Sequence, residues 1–205
     1  MLGSRGLHIR RGYSGDGVGP PEAAAEEEAL VEQARRDPRA FAPLYARYAD
    51  PVYRFCYRRL GEPEAAEDAT SQVFLNALAA LPGYQSGSFR AWLFTIARNV
   101  VTDVYRERRT ERLPETARDP VDPGPTPEEV MLHAESHRGV RALLAALSQE
   151  QREVVELRLA GLNGAEIAQV LGRSHGSVRA LQYRAAQRLR DVLAHGTQRG
   201  GAQCD

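Results

Sequence analysis

The sequence predicts an all-α fold: two small helical domains joined by a proline-rich, acidic linker. Three observations predict it. Apolar residues recur at spacings of three and four along most of the chain, the period of one helix face. No convincing alternation of apolar and polar residues marks a strand. Residues 110 to 127, "TERLPETARDPVDPGPTP", carry five prolines and cut the helical pattern in two.

Residues 1–25 are rich in Gly, Ser and Pro and are expected to form a disordered N-terminal extension. Helical patterning starts at Glu26 and fills the first domain, 26–109. "EEEALVEQARR" stops at Asp37-Pro38. In "AFAPLYARYADPVYRFCYRRLG" the residues Phe41, Leu44, Tyr45, Tyr48, Val52, Phe55, Cys56 and Leu60 share a face. Pro51 predicts a break or kink, and Gly61 a stop. "EPEAAEDATSQVFLNALAALPG" opens with Glu62, Glu64, Glu67 and Asp68, which the helix dipole favours at an N-terminus. Ala66, Ala69, Val73, Leu78 and Leu81 are its apolar positions, and Pro82-Gly83 ends it. After the loop "YQSGS", Phe89, Trp92, Leu93, Ile96, Val100 and Val104 form the stripe of a long helix with a basic last turn, "RERR".

Beyond the linker, 110–127, the second domain is expected over 128–195, with a tail at 196–205. "EEVMLHAESHRGVRALLAAL" reads as a helix. "SQEQREVVELRLAG" reads as another, with Ser148 and Gln151 in a capping-box pattern.

Composition narrows the function classes. The 205 residues hold 27 basic and 27 acidic side chains, so formal net charge is zero. Every base is arginine, which gene base composition is enough to explain. No window approaches ~18 consecutive apolar residues, so no spanning helix is expected. The N-terminal stretch lacks an apolar h-region and predicts no secretory signal, which points to the cytoplasm. Cys56 and Cys204 make no disulfide framework or metal spacing. Charge is uneven along the chain. Residues 110–136 carry two arginines against seven acids, and residues 137–205 carry ten against six. Residues 41–109 carry nine arginines against seven acids, so an acidic bridge joins two mildly basic blocks.

The segment "GLNGAEIAQVLGRSHGSVRALQYRAAQRL", 161–189, changes character across Gly172. Ala165, Ile167, Ala168 and Leu171 give a short helix an inner face. Gly172 then suits a left-handed turn, and Ser174 can cap the next helix. In that helix Val178, Leu181, Ala185 and Leu189 form the inner stripe. Two short helices about a tight glycine turn are a helix-turn-helix, whose second helix enters the major groove. From Arg173 to Arg190 there are five arginines and no acid. Such a helix suits a polyanionic duplex. His175, Ser177, Arg179 and Gln182 are candidates for base edges, and Arg184 and Arg188 for the backbone.

These residues resemble a known family. "LSQEQREVVELRLAGLNGAEIAQVLGRSHGSVRALQYRAAQRLR" is similar to region 4 of bacterial sigma-70 family factors. "FAPLYARYADPVYRFCYRRLGEPEAAEDATSQVFLNAL" and "FRAWLFTIARNVVTDVYRERR" are similar to region 2. The chain is too short for the middle domain of housekeeping members, which points to the two-domain extracytoplasmic-function (ECF) type. The resemblance implies no cofactor and no catalysis. It implies promoter DNA and core RNA polymerase as partners. Region 4 would read the minus-thirty-five element through His175, Ser177, Arg179, Gln182, Arg184 and Arg188, and dock on the β flap. Region 2 would bind the β′ clamp helices around Asp68, Gln72 and Phe74. It would open the minus-ten element with Tyr84, Gln85 and Ser86 of the loop, and with Asn99 and Arg106. Core packing is the preferred role for Trp92. An anti-sigma factor is a further partner the resemblance allows. The chain departs from the family at Ser71-Gln72, where Gln-Glu is usual. It departs again at Leu181-Gln182, which leaves open which of these two packs inward.

Two rival readings remain. A helix-turn-helix regulator acting without polymerase would need the C-terminal motif alone. An enzyme would need a site, yet the five histidines are scattered. His133 and His137 sit four apart, a spacing that can bind metal, with no evident third ligand.

Overall fold

The computed structural model describes residues 21–85, 87–111, 140 and 143–199, and among them there is no strand. Ser86, His133, His137 and Cys204 lie outside the described residues, as does most of the helix expected over 128–147. Helix α1 spans Pro21–Arg36, and a 3₁₀ turn at Pro38–Phe41 leads into α2, Ala42–Leu60. Helix α3 spans Pro63–Ala80, a 3₁₀ turn comes next at Leu81–Gly83, and α4 spans Phe89–Glu111. A short helical turn at 143–145 precedes α5, Gln149–Leu159; α6, Gly164–Leu171; and α7, His175–Arg199. The architecture is two-domain and all-α.

Helix α1 starts at Pro21, five residues before the expected Glu26. Proline suits a first helical position, and "EAAAEEE" behind it is rich in strong helix formers. Helix α2 does not stop at Pro51; it runs unbroken to Gly61, whose left-handed φ of 83° ends it. Asp37 caps the first 3₁₀ turn by accepting from Arg39 N–H at 2.9 Å. Ser148 and Gln151 form the expected capping box at the start of α5, and Asn163 and Glu166 form a second at α6.

In the N-terminal domain, α2, α3 and α4 pack against one another, and α1 lies across them. Leu44, Val52, Phe55, Val73, Ala77, Leu93, Phe94 and Val101 are its buried centre. The Phe55 and Phe94 rings meet edge to face at 5.5 Å, a favoured aromatic geometry. Three stripe assignments shift. Leu78 is exposed, while Phe74 and Ala77 face inward on α3. Tyr45 is half exposed, its ring tilted onto Phe74 at 4.7 Å. Ala165 is exposed, and Val170 takes the buried place on α6.

In the C-terminal domain, α5 and α6 both pack on α7. Gly172 closes the turn between α6 and α7 at φ 62°, a conformation that costs glycine little. Its N–H bonds to Gln169 O, and Arg173 N–H bonds to Ala168 O, which satisfies two of the last carbonyls of α6. Val178, Leu181 and Ala185 are buried. The inward member of the open pair is therefore Leu181, at 3% exposure, while Gln182 sits at the edge of the stripe.

The two domains are in contact. Helix α6 packs on α4 and α5 on α2, so that Val154, Leu157, Leu162, Ile167 and Val178 continue the core of the N-terminal domain. Leu181→Ala should cost about 2–5 kcal/mol of stability. Gln182→Ala should stay within about 0.5 kcal/mol. Chemical denaturation of the two variants checks this ordering.

Candidate nucleic-acid interface

The stripe that buries Val178, Leu181 and Ala185 decides which side of α7 faces outward. At 100° per residue the opposite side carries Gly176, Arg179, Ala180, Tyr183 and Gln187. Gly176, Arg179, Ala180 and Tyr183 are exposed, and Gln187 is half-buried. Arg184, Arg188 and Arg190 are exposed beside that face, and no acid interrupts it until Asp191. The helix start is well formed: Ser174 Oγ accepts from Ser177 N–H at 3.3 Å, and Ser174 O accepts from Val178 N–H.

The base-edge candidates separate. Arg179 points away from the core. His175 is exposed but lies over the first residue of α6: a Cβ added to Gly164 would come within 2.7 Å of its Nε2. Ser177 and Gln182 flank the buried stripe and are half-covered. Arg188 Nε reaches Ala146 O at 3.5 Å, a marginal bond that leans it toward the preceding turn.

Tyr183 was not among the sequence candidates. It is 64% exposed, on the outward side one turn after Arg179, and its hydroxyl accepts from Gln187 Nε2 at 2.7 Å. A large aromatic held in place by a neighbour and buried against nothing suits an apolar contact such as a thymine methyl. The available signal was its register, four residues beyond Arg179 and off the Val178–Leu181–Ala185 stripe.

The second candidate region lies around the start of α4. The Tyr84 ring packs at 5.2 Å from Trp92 and 5.9 Å from Phe89, and its hydroxyl donates to Gly87 O at 2.6 Å. Burial raises the Tyr84 phenol above its usual pKa, and the Glu27 and Glu28 carboxylates of α1 add to that. Trp92 is half-buried in this cluster, as core packing requires. Gln85 and Asn99 are exposed, and Arg106 pairs with Asp103 at 3.4 Å on the open surface. Gly87 adopts φ 108°, so the loop needs a glycine there.

On α3, Asp68 and Gln72 are exposed, and Gln72 Nε2 donates to Asn76 Oδ1 at 2.7 Å. Phe74 does not join them. It is 6% exposed, wedged between Phe41 and Tyr45, because its position falls on the inner side of the helix. Leu75 and Leu78 are the apolar groups that α3 presents outward. Beside them runs an open groove of about 300 Å³ between α2 and α3, lined by Tyr45, Tyr53, Glu67 and Ser71 among others.

Several side-chain links join the α5–α6 segment to the N-terminal domain. Arg59 Nη1 donates to Glu156 Oε2 at 3.0 Å, and Glu156 is 1% exposed. Burial raises the Glu156 carboxyl above the usual range, while Arg59 and Arg58 pull it back down. Glu153 lies 3.7 Å from both Arg59 and Arg98. Ser88 Oγ donates to Glu166 Oε1 at 2.7 Å, and Arg90 Nη1 donates to Gly161 O at 3.0 Å. Among the described residues no cluster of three or more His, Cys, Asp or Glu could hold a metal, and no helix is long and apolar enough to cross a membrane.

The outward face of α7 implies a countable electrostatic footprint. If Arg184 meets a phosphate, Arg184→Ala should reduce the slope of log K against log salt by about one unit while sparing sequence preference. Binding isotherms at several salt concentrations test this.

Residues 44–111 match Sigma-70 region 2, and residues 137–189 match Sigma-70, region 4. The chain is 40% identical over 171 residues to the ECF RNA polymerase sigma factor BldN of Streptomyces coelicolor. That match covers 80% of this chain and 64% of BldN. It is 34% identical over 194 residues to the ECF RNA polymerase sigma factor SigE of Mycolicibacterium smegmatis, covering 91% of this chain and 75% of SigE. Among solved structures, CnrH in complex with the cytosolic domain of CnrY aligns with a TM-score of 0.63 and 30% identity. The alignment covers 82% of this chain and 96% of that one.

Proposed function

The chain belongs to the sigma-70 family, in its ECF type, and from that premise we propose that it directs core RNA polymerase to specific promoters and helps melt them. The observation that carries the reading is the outward face of α7. Arg179 and Tyr183 project from a helix anchored by Val178, Leu181 and Ala185, behind the Gly172 turn. A helix so mounted can enter a major groove and present its first two turns to base edges.

The roles divide between two bodies. Residues 128–195, as a region 4 domain, read the minus-thirty-five element. Arg179 bonds base edges there, Tyr183 and His175 flank it, and Arg184, Arg188 and Arg190 neutralise phosphates. Ser177 and Gln182 support that contact from the edges of the stripe. The same domain docks on the β flap. Residues 26–109, as a region 2 domain, hold the minus-ten element. Tyr84, Gln85 and Ser86, which precede α4, and Asn99 and Arg106 farther along that helix take this role, since a polar loop and a cationic helix can hold an unstacked base and its phosphates. Asp68 and Gln72, with Leu75 and Leu78 beside them, meet the β′ clamp helices, and Phe74 supports that surface from beneath.

The protein performs no chemistry of its own and needs no cofactor; the polymerase makes and breaks the bonds. Its place of work is the cytoplasm. CnrH was solved with the cytosolic domain of CnrY, and by extension an anti-sigma protein is a further partner for this chain. A polymerase-independent regulator would leave the region 2 match at 44–111 without a role.

Core polymerase supplied with the purified chain should initiate at a defined start site. Transcription unchanged by the chain would refute the reading. Arg179→Ala should cost about 1–3 kcal/mol of promoter affinity and relax preference at one base pair of the upstream element. A uniform loss across all sequences would instead assign Arg179 to a phosphate.

A further inference from the structure

We infer that Gly164 is a positioning residue for DNA recognition: it gives His175 a seat on α6, and from that seat the imidazole holds a phosphate of the DNA backbone instead of a base edge. The inference rests on the promoter-recognition reading and assigns one contact within it.

Space supplies the first argument. A Cβ built on Gly164 would lie 2.7 Å from His175 Nε2, 3.2 Å from its Cδ2 and 3.9 Å from its Cε1, and these are the three atoms nearest to it. The Nε2–Cδ2 edge of the ring therefore rests on the bare glycine, and Nδ1 is the nitrogen farther from it. Any side chain at 164 has to displace the ring. The backbone does not ask for glycine here. Gly161 and Gly172, on either side of α6, have left-handed φ values of 92° and 62°, whereas Gly164 has no positive φ. Glycine is also a poorer helix former than alanine, yet it is the first residue of α6. Room for the imidazole is what the missing side chain provides.

Position supplies the second. In a helix-turn-helix the second helix puts its first residues into the major groove, and the first helix crosses the backbone. His175 is the first residue of α7, and its ring reaches back onto the first residue of α6. It thus lies where the base-reading helix meets the backbone-crossing one. The seat is firm, because Asn163 and Glu166 fix the start of α6 with a capping box. Arg179, one turn farther along α7, is left to project toward base edges.

Polar groups supply the third. Arg173 pairs with Glu150 of α5, and Ser174 Oγ accepts from Ser177 N–H. Those two side chains of the turn are committed within the protein. Among the described residues the exposed His175 imidazole has no hydrogen-bond or ion-pair partner. A polar ring oriented by packing but unpartnered gives up little freedom when it meets a ligand. Its N–H is a donor, and donors to phosphate fix register without reading sequence.

The test uses the full chain bound to core polymerase. The parent selects its preferred upstream element from a pool of random duplexes, and that duplex with its single-base-pair variants forms the probe set. We expect His175→Ala to weaken binding about tenfold, roughly the worth of one hydrogen bond to a charged group, and by the same factor on every probe. Gly164→Ala should give a smaller, equally uniform loss, with a melting temperature no lower than the parent's, since alanine is the better helix former. In the Gly164→Ala/His175→Ala double variant the loss should equal that of His175→Ala alone, because the added methyl has no ring left to displace. The assignment is overturned by a loss confined to one base pair, by parent-like binding of either single variant, by losses that add in the double variant, or by a Gly164→Ala chain that melts well below the parent. A parent that selects no duplex removes the promoter reading, and this contact with it. Selection by the parent with either single variant binding like it removes this contact alone.

Discussion

Each described helix has an apolar stripe, and covering those stripes is the constraint on which the other features depend. A body of 60 to 90 residues buries only about 60% of its unfolded surface and is marginal alone. Helices α2, α3 and α4 close around Phe55, Val73 and Phe94, while α5, α6 and α7 close around Leu157, Ile167 and Leu181. Each body leaves apolar surface at its edge, and the two edges meet. The seam is dry enough to bury Glu156, and a buried carboxylate needs its cations. Arg59 and Arg58 provide them from α2.

The same constraint produces the surface proposed to read DNA. Because Val178, Leu181 and Ala185 must face α5 and α6, the residues half a turn away have no choice but to face solvent. Evolution can vary that free face without touching stability, and in this chain it holds Arg179, Tyr183 and several more arginines. Gly172 makes the arrangement rigid. Its left-handed turn sets the angle at which α7 leaves α6, and Ser174 caps the new helix at once. Rigidity there matters because a base-edge contact tolerates little misplacement.

Much of this was legible in the sequence, and the failures have physical causes. The Gly172 turn, the caps at Ser148 and Ser174, the stop at Gly61 and the inner stripe of α7 depend on local chemistry, which spacing reports directly. Phe74, Leu78, Tyr45 and Ala165 were misplaced because a stripe read from apolar identity alone cannot say which of two adjacent apolar residues faces inward. That choice depends on neighbouring helices. Phe74 faces inward because Phe41 and Tyr45 are there to receive it. Pro51 suggested a break, yet the helix on both sides is packed well enough to carry the missing hydrogen bond. The ionic seam was invisible, since Arg59 and Glu156 are nearly a hundred residues apart and each looks like an ordinary solvated charge in its own helix. Tyr183 was overlooked because an aromatic at helical spacing usually signals core.

The central claim is that one chain grips two separated stretches of duplex from two bodies while riding on polymerase. A promoter series in which the spacing between its upstream and downstream elements is lengthened one base pair at a time tests it most directly. DNA turns once in about 10–10.5 base pairs, so insertion of about five turns the upstream groove to the far side. Initiation by core polymerase carrying this chain should collapse at that spacing. Output that ignores the spacing would show that only one body reads the DNA, and would contradict the account.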